Sequence, residues 1–133
     1  MISRRTRVVG LSVLLGVVLA GAGAARVVDY LDDQSAYAAT LKWARLAPYP
    51  ASARHRTVEV TGGMFTRGFV VDFDAPVADL HAWLLASPGA TTAGVAGAPA
   101  RRHYSITPGG GAMFAEMTVD FTRGHVRIRT YWS

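Results

Sequence analysis

The stretch Met113-Phe114-Ala115-Glu116-Met117-Thr118-Val119-Asp120-Phe121-Thr122-Arg123-Gly124-His125-Val126-Arg127-Ile128-Arg129-Thr130-Tyr131-Trp132 decides the fold. Apolar and polar residues alternate on either side of Phe121-Thr122-Arg123-Gly124, which is the period of a strand whose side chains point to opposite faces in turn. A turn over 121–124 closes strands 113–120 and 125–132 into an antiparallel hairpin. That closure sets Met117 opposite Ile128 and Val119 opposite Val126 on one face. On the other face Glu116 meets Arg129, Thr118 meets Arg127 and Phe114 meets Tyr131. Both faces become chemically sensible in a single register, and a slip by one residue would spoil both. Arg127 then has no carboxylate across the hairpin and is available to an acidic partner. Arg and Tyr are favoured at protein interfaces, so Arg127, Arg129, Tyr131 and Phe114 are the candidate binding residues.

Upstream, Pro108-Gly109-Gly110-Gly111 reads as a turn, and residues 103–107 as a strand with Tyr104 and Ile106 facing inward. Residues 88–102 are rich in Ala, Gly, Thr and Pro and are expected to be a loop. Val77, Leu80 and Leu84 recur at helical spacing, with Asp74 as N-cap, Pro76 in the first turn and Ser87-Pro88-Gly89 as the stop. Phe65, Phe69, Val71 and Phe73 alternate along another strand, with Arg67 on the same face as a snorkelling side chain. Gly62-Gly63 turns the chain back to a strand over 57–61. The expected class is α+β. A small antiparallel sheet in β-β-α-β-β-β order is covered by one helix and preceded by an N-terminal hydrophobic helix.

Residues 8–25 carry no charge and follow Arg4, Arg5 and Arg7. A basic flank stays in the cytoplasm, which places the remainder outside. Ala22-Gly23-Ala24 fits a cleavage site, so residues 1–25 read as a signal peptide or as a transmembrane anchor. The length of the run, and the spacing of Val28, Leu31 and Leu41 beyond it, favour an uncleaved anchor that continues into a juxtamembrane helix. Pro48 and Pro50 end that helix. The chain therefore divides into residues 1–25, a helix and proline-containing linker over 26–50, and an extracytoplasmic domain over 51–133. Its expected location is the membrane, single-pass with the C-terminus outside, or the periplasm or exterior after cleavage.

Charge adds little about partners. The 133 residues hold 14 basic and 9 acidic side chains, a net charge of +5. Three of the arginines precede the apolar run, which leaves eleven basic residues against nine acidic ones from Arg26 onward. The basic excess thus belongs largely to targeting, and nucleic acid is not an expected partner. There is no Cys, which excludes disulfides, thiol catalysis, thiolate zinc sites and a lipidated cysteine.

Trp83-Leu84-Leu85-Ala86-Ser87-Pro88-Gly89, the run from Pro108 to Asp120, and the ending Val126-Arg127-Ile128-Arg129-Thr130-Tyr131-Trp132-Ser133 resemble uncharacterised short proteins of GC-rich bacteria that carry an N-terminal hydrophobic segment. The resemblance spans residues 45–133. It implies a shared domain and export, and it brings no activity and no functional residue.

Chemical motifs are sparse. His55, His81, His103 and His125 fall on four elements with no H-x-x-x-H pair, so surface or cap roles are expected and no metal. Asp74, Asp79 and His81 near the helix start form the one acid–base constellation worth testing as a small exported enzyme. Gly109–Gly111 leads into a strand, so it lacks the helix terminus that phosphate loops use. No cofactor motif is present. The expected function is a membrane-tethered or secreted, non-enzymatic domain that binds a protein or another envelope component. A self-associating scaffold subunit is the further alternative.

The N-terminal pattern yields the first test. A reporter fused after Ser133 should be active only in an extracytoplasmic format. Activity from a cytoplasmic-only reporter would overturn the assigned orientation.

Overall fold

The computed structural model of the chain describes residues 32–133. The expected signal peptide or anchor, residues 1–25, lies outside them. No described helix is long and apolar enough to cross a membrane. Residues Ser35–Ser133 form one compact unit.

Helix α1 occupies residues 32–44. Then come β1 (Arg54–Thr61), β2 (Arg67–Asp74), α2 (Val77–Ala86), the single-turn α3 (Pro88–Thr91), β3 (Gly94–Ala98), β4 (Arg101–Ile106), β5 (Phe114–Asp120) and β6 (His125–Trp132). The strands make one antiparallel sheet in the order β1-β2-β6-β5-β4-β3. The α+β class is thus seen, with an order that differs from the expected one. The β5–β6 register matches the sequence pattern, with Met117 opposite Ile128, Glu116 opposite Arg129 and Phe114 opposite Tyr131.

Three expectations need correction. Residues 88–102 are not a loop: Pro88 opens α3 at a helix position where its missing N–H is harmless, and Gly94–Ala98 pairs with β4. The segment was unreadable because Gly-Val-Ala-Gly-Ala offers no contrast between its faces. Phe65 lies in the β1–β2 connection and is 77% exposed, so β2 begins at Arg67, which is itself exposed. Asp74 caps no helix. It ends β2, and the residue before α2 is Pro76, with no side-chain cap.

All the described helical packing is on one face of the sheet. Phe69 and Phe73 point the same way along β2, and Trp43 of α1 stacks on Phe69 at 5.1 Å while Trp83 of α2 meets Phe73 edge-on at 5.4 Å. Tyr37 and Tyr49 extend this aromatic chain, each meeting its neighbour edge to face. Arg56 of β1 lies over the Tyr37 ring at 4.4 Å. Phe73, Leu80, Met117, Val119, Val126 and Ile128 are fully buried beneath.

Helix α1 is part of this core. Tyr37, Ala44 and Leu46 belong to the same buried cluster as Phe73 and Leu80. The compact unit therefore starts at Ser35, and not at Ala51 as the two prolines implied. Trp83 Nε1 donates to the Ala47 carbonyl at 3.0 Å, and the Ala47 N–H donates to buried Ser87 Oγ at 2.9 Å. The proline segment is bonded down rather than acting as a linker. A chain reduced to residues 51–133 should accordingly show no cooperative thermal transition, whereas residues 35–133 should melt cooperatively. Equal melting temperatures by circular dichroism would show that α1 is dispensable to the core.

Candidate functional site

The described helices leave the other face of the sheet open, and the described ion pairs gather there. Strand alternation puts Asp72 and Asp74 on that face of β2, because Val71 and Phe73 take the core side. By the same rule β6 presents His125, Arg127, Arg129 and Tyr131, and β5 presents Phe114, Glu116, Thr118 and Asp120. The β2–β6 register aligns Asp74 with His125 and Asp72 with Arg127.

These alignments produce a compact ionic cluster. His125 Nδ1 is 2.6 Å from Asp74 Oδ1, and its Nε2 is 2.9 Å from Asp72 Oδ1. Arg127 Nε donates to the same Asp72 oxygen at 2.9 Å. Asp74 Oδ2 meets His55 Nδ1 at 3.0 Å. His55 adopts a positive φ of 53° beside the β-bulge in β1, a conformation uncommon for a non-glycine residue. A second, smaller cluster surrounds Glu116, which accepts from Arg129 Nη1 at 2.8 Å and lies 3.4 Å from His103 Nε2.

Arg127 therefore has a carboxylate partner, contrary to the sequence expectation. The hairpin shows only one neighbour of β6. The second neighbour is β2, which sequence order does not place there. The four candidate binding residues share the open face, but Arg127 and Arg129 are both ion-paired, and Phe114 and Tyr131 are the two left as exposed apolar area. The acid–base trio is not assembled. Asp74 holds His125 and His55, Asp79 accepts from Ser52 Oγ at 2.6 Å, and His81 stacks on Phe121 at 4.8 Å.

The geometry sets the protonation of the cluster. Partial burial disfavours the His125 imidazolium, but hydrogen bonds to Asp74 and Asp72 together outweigh it and raise the pKa above the ordinary 6.5. Hydrogen bonds from His125, then from His55, hold the Asp74 carboxyl below its usual 3.8. Both ring nitrogens of His125 are engaged by carboxylates, so neither is free to act as a general base. The cluster organises charge across three strands.

The raised His125 pKa contributes stability that is complete below about pH 6.5 and lost as pH rises through the folded-state value. The lowered Asp74 pKa contributes stability that is complete above about pH 3.8 and lost as pH falls through its folded value. Thermal stability should therefore be flat between these limits and decline as pH rises above about 6.5, and His125→Gln should remove much of that decline. An NMR titration of the His125 ring should give a midpoint above 6.5. A midpoint at or below that value would show that the two carboxylate bonds do not hold the imidazolium.

Comparison with protein-family models, curated proteins and solved structures gave no match.

Proposed function

We propose that the chain is a membrane-tethered or secreted, non-enzymatic binding domain of the bacterial envelope, and that the aromatic end of its open sheet face is the contact surface. The supporting observation is a cross-strand pair of aromatic side chains exposed on that face where β6 ends and β5 begins. Phe114 is 43% exposed and Tyr131 39% on that face; at the same end of the strands Trp132, which alternates to the other face, is 44% exposed and Met113, just before β5, 63%. Phe114 and Tyr131 are cross-strand partners, and the next residue in that row is Gly68, which has no side chain to cover the Tyr131 ring. The connection leading into β2, whose Arg67 pairs with Trp132, adds exposed Met64 and Phe65.

Isolated exposed apolar residues are ordinary, but a cluster of this kind marks an interaction surface. Aromatic and Met side chains are enriched at such surfaces, and a few aromatic anchors commonly carry most of the binding energy. Arg129, held by Glu116 beside the aromatic pair, supplies a fixed polar neighbour.

Phe114→Ser with Tyr131→Ser is the direct test. Neither side chain belongs to the buried core, so the melting temperature should change little. Capture of the envelope partner from solubilised membranes should fall by about tenfold or more, as expected for the loss of two aromatic anchors. Equal capture by wild type and double variant would refute the surface. A collapsed melting temperature would show that the pair is structural instead.

A further inference from the structure

At the opposite end of the open face the sheet forms a concave polar site. Arg101 on β4, Thr118 and Asp120 on β5, Arg123 in the β5–β6 turn, and His125 and Arg127 on β6 line a cavity of about 340 Å³. Register explains the convergence. Arg101, Asp120 and His125 form one cross-strand row, and Thr118 pairs with Arg127 in the next.

Three guanidiniums face this cavity against one carboxylate, and that carboxylate has a structural task. Asp120 Oδ1 accepts the backbone N–H of Thr122 at 2.9 Å and of Arg123 at 3.1 Å, which holds the turn. Its Oδ2 lies 4.0 Å from Arg123 Nε, a loose pairing, and the Arg123 side chain is 82% exposed. Arg101 makes no ion pair among the described residues. Arg127 is fixed to Asp72 through Nε, a bond that does not use its two terminal nitrogens. On the neighbouring strand β2, Asp72 and Asp74 pair with Arg127 and His125. The unneutralised charge is that of Arg101 and Arg123 over Asp120.

We propose that this cavity binds a phosphate group. A guanidinium presents a planar fork of donors that matches phosphate oxygens two at a time. A carboxylate has two oxygens and satisfies one such fork, whereas a tetrahedral phosphate can meet forks arriving from β4, β6 and the β5–β6 turn together. Its charge of nearly −2 near neutral pH exceeds what one carboxylate would supply. The tie from Arg127 to Asp72 fixes one fork before the ligand arrives, which lowers the ordering cost of binding. The glycine run 109–111 has no part in the site, because Gly109 N–H donates to the Trp43 carbonyl on α1. Soluble phosphate compounds and the headgroups of anionic phospholipids both present this group.

The test uses the full-length chain in micelles of neutral detergent, titrated with inorganic phosphate and pyrophosphate at constant ionic strength. Thermal stability and the NMR signals of arginine Nε–H groups should respond saturably. Arg101→Gln with Arg123→Gln should weaken binding by about tenfold or more, each lost charge-assisted contact being of that order. The melting temperature without phosphate should stay unchanged, since both side chains are exposed. Phe114→Ser with Tyr131→Ser should bind phosphate normally, so failure at either end of the sheet is scored separately. A second arm dopes the micelles with phosphatidic acid. Competition between that lipid and inorganic phosphate assigns the site to a headgroup, and saturable phosphate binding without competition assigns it to a soluble compound. No saturable response, or one that is equal in the arginine double variant, overturns the proposal.

Discussion

The turn after α1 is the constraint on which the rest of the domain depends. Arg45 takes a positive φ of 52° there, and Leu46 N–H reaches back to the Leu41 carbonyl at 2.9 Å. This is a helix C-terminus of the Schellman type, in which glycine ordinarily fills the left-handed position. An arginine in that position carries backbone strain of about 1 kcal/mol or more, and it persists because its surroundings over-determine it. Its Nε donates to the Thr107 carbonyl and its Nη2 to Thr92 Oγ1, both at 2.9 Å, while its own carbonyl accepts Gly89 N–H at 2.7 Å. Gly109 N–H satisfies the Trp43 carbonyl two residues earlier. One residue thus ties α1 to α3, to the segment after it and to the connection into β5. Gly89 has no substitute at the contact, because a Cβ there would overlap the Ala44 carbonyl.

That arrangement explains why the domain boundary was hidden in the sequence. Arg45 looks like an ordinary basic residue at a helix end, and Pro48 and Pro50 are the usual marks of a linker. The bonds that hold the segment come from residues 83–109, and no local pattern announces them. The hairpin was legible for the opposite reason. Residues 113–132 alternate in both polarity and charge, so two independent faces agree on one register. Strand β3 carried neither signal. Its five residues are all small or aliphatic, all exposed, and paired on one side only.

The candidate site was legible to the same extent as the strand order. Glu116 with Arg129 follows from the hairpin alone, and it appears at 2.8 Å. Asp72 with Arg127 and Asp74 with His125 need β2 beside β6, two strands separated by more than fifty residues. The signal that could have found them is the matched spacing of the two strands. Asp72 and Asp74 alternate with Val71 and Phe73 just as Arg127 and His125 alternate with Val126 and Ile128. In an antiparallel pairing that seals the apolar side, the acidic pair must fall opposite the basic pair. Asp74 was given to a helix cap instead, because a local role is always the nearer explanation for an aspartate before a proline.

Because the core fixes the register, the chemistry of the open face is placed by residues that take no part in it. Val126 and Ile128 determine where His125, Arg127, Arg129 and Tyr131 stand, and Val119 and Met117 do the same for Asp120, Thr118 and Glu116. The outer side chains can then vary at small cost in stability, since exposed ion pairs contribute about 1 kcal/mol or less. Along β6 the consequence is a graded surface. His125 and Arg127 are neutralised by β2, Arg129 by β5, and Tyr131 has no charge to neutralise. Arg101 at the start of β4 and loosely paired Arg123 flank the turn end of the hairpin, and exposed aromatic area lies at the far end of the same two strands. The β5–β6 hairpin, with β4 beside it, therefore holds an arginine-lined cavity and an exposed aromatic pair in fixed relation. The buried rows of β5 and β6 fix that relation, because neither end can move against the other without a change of register.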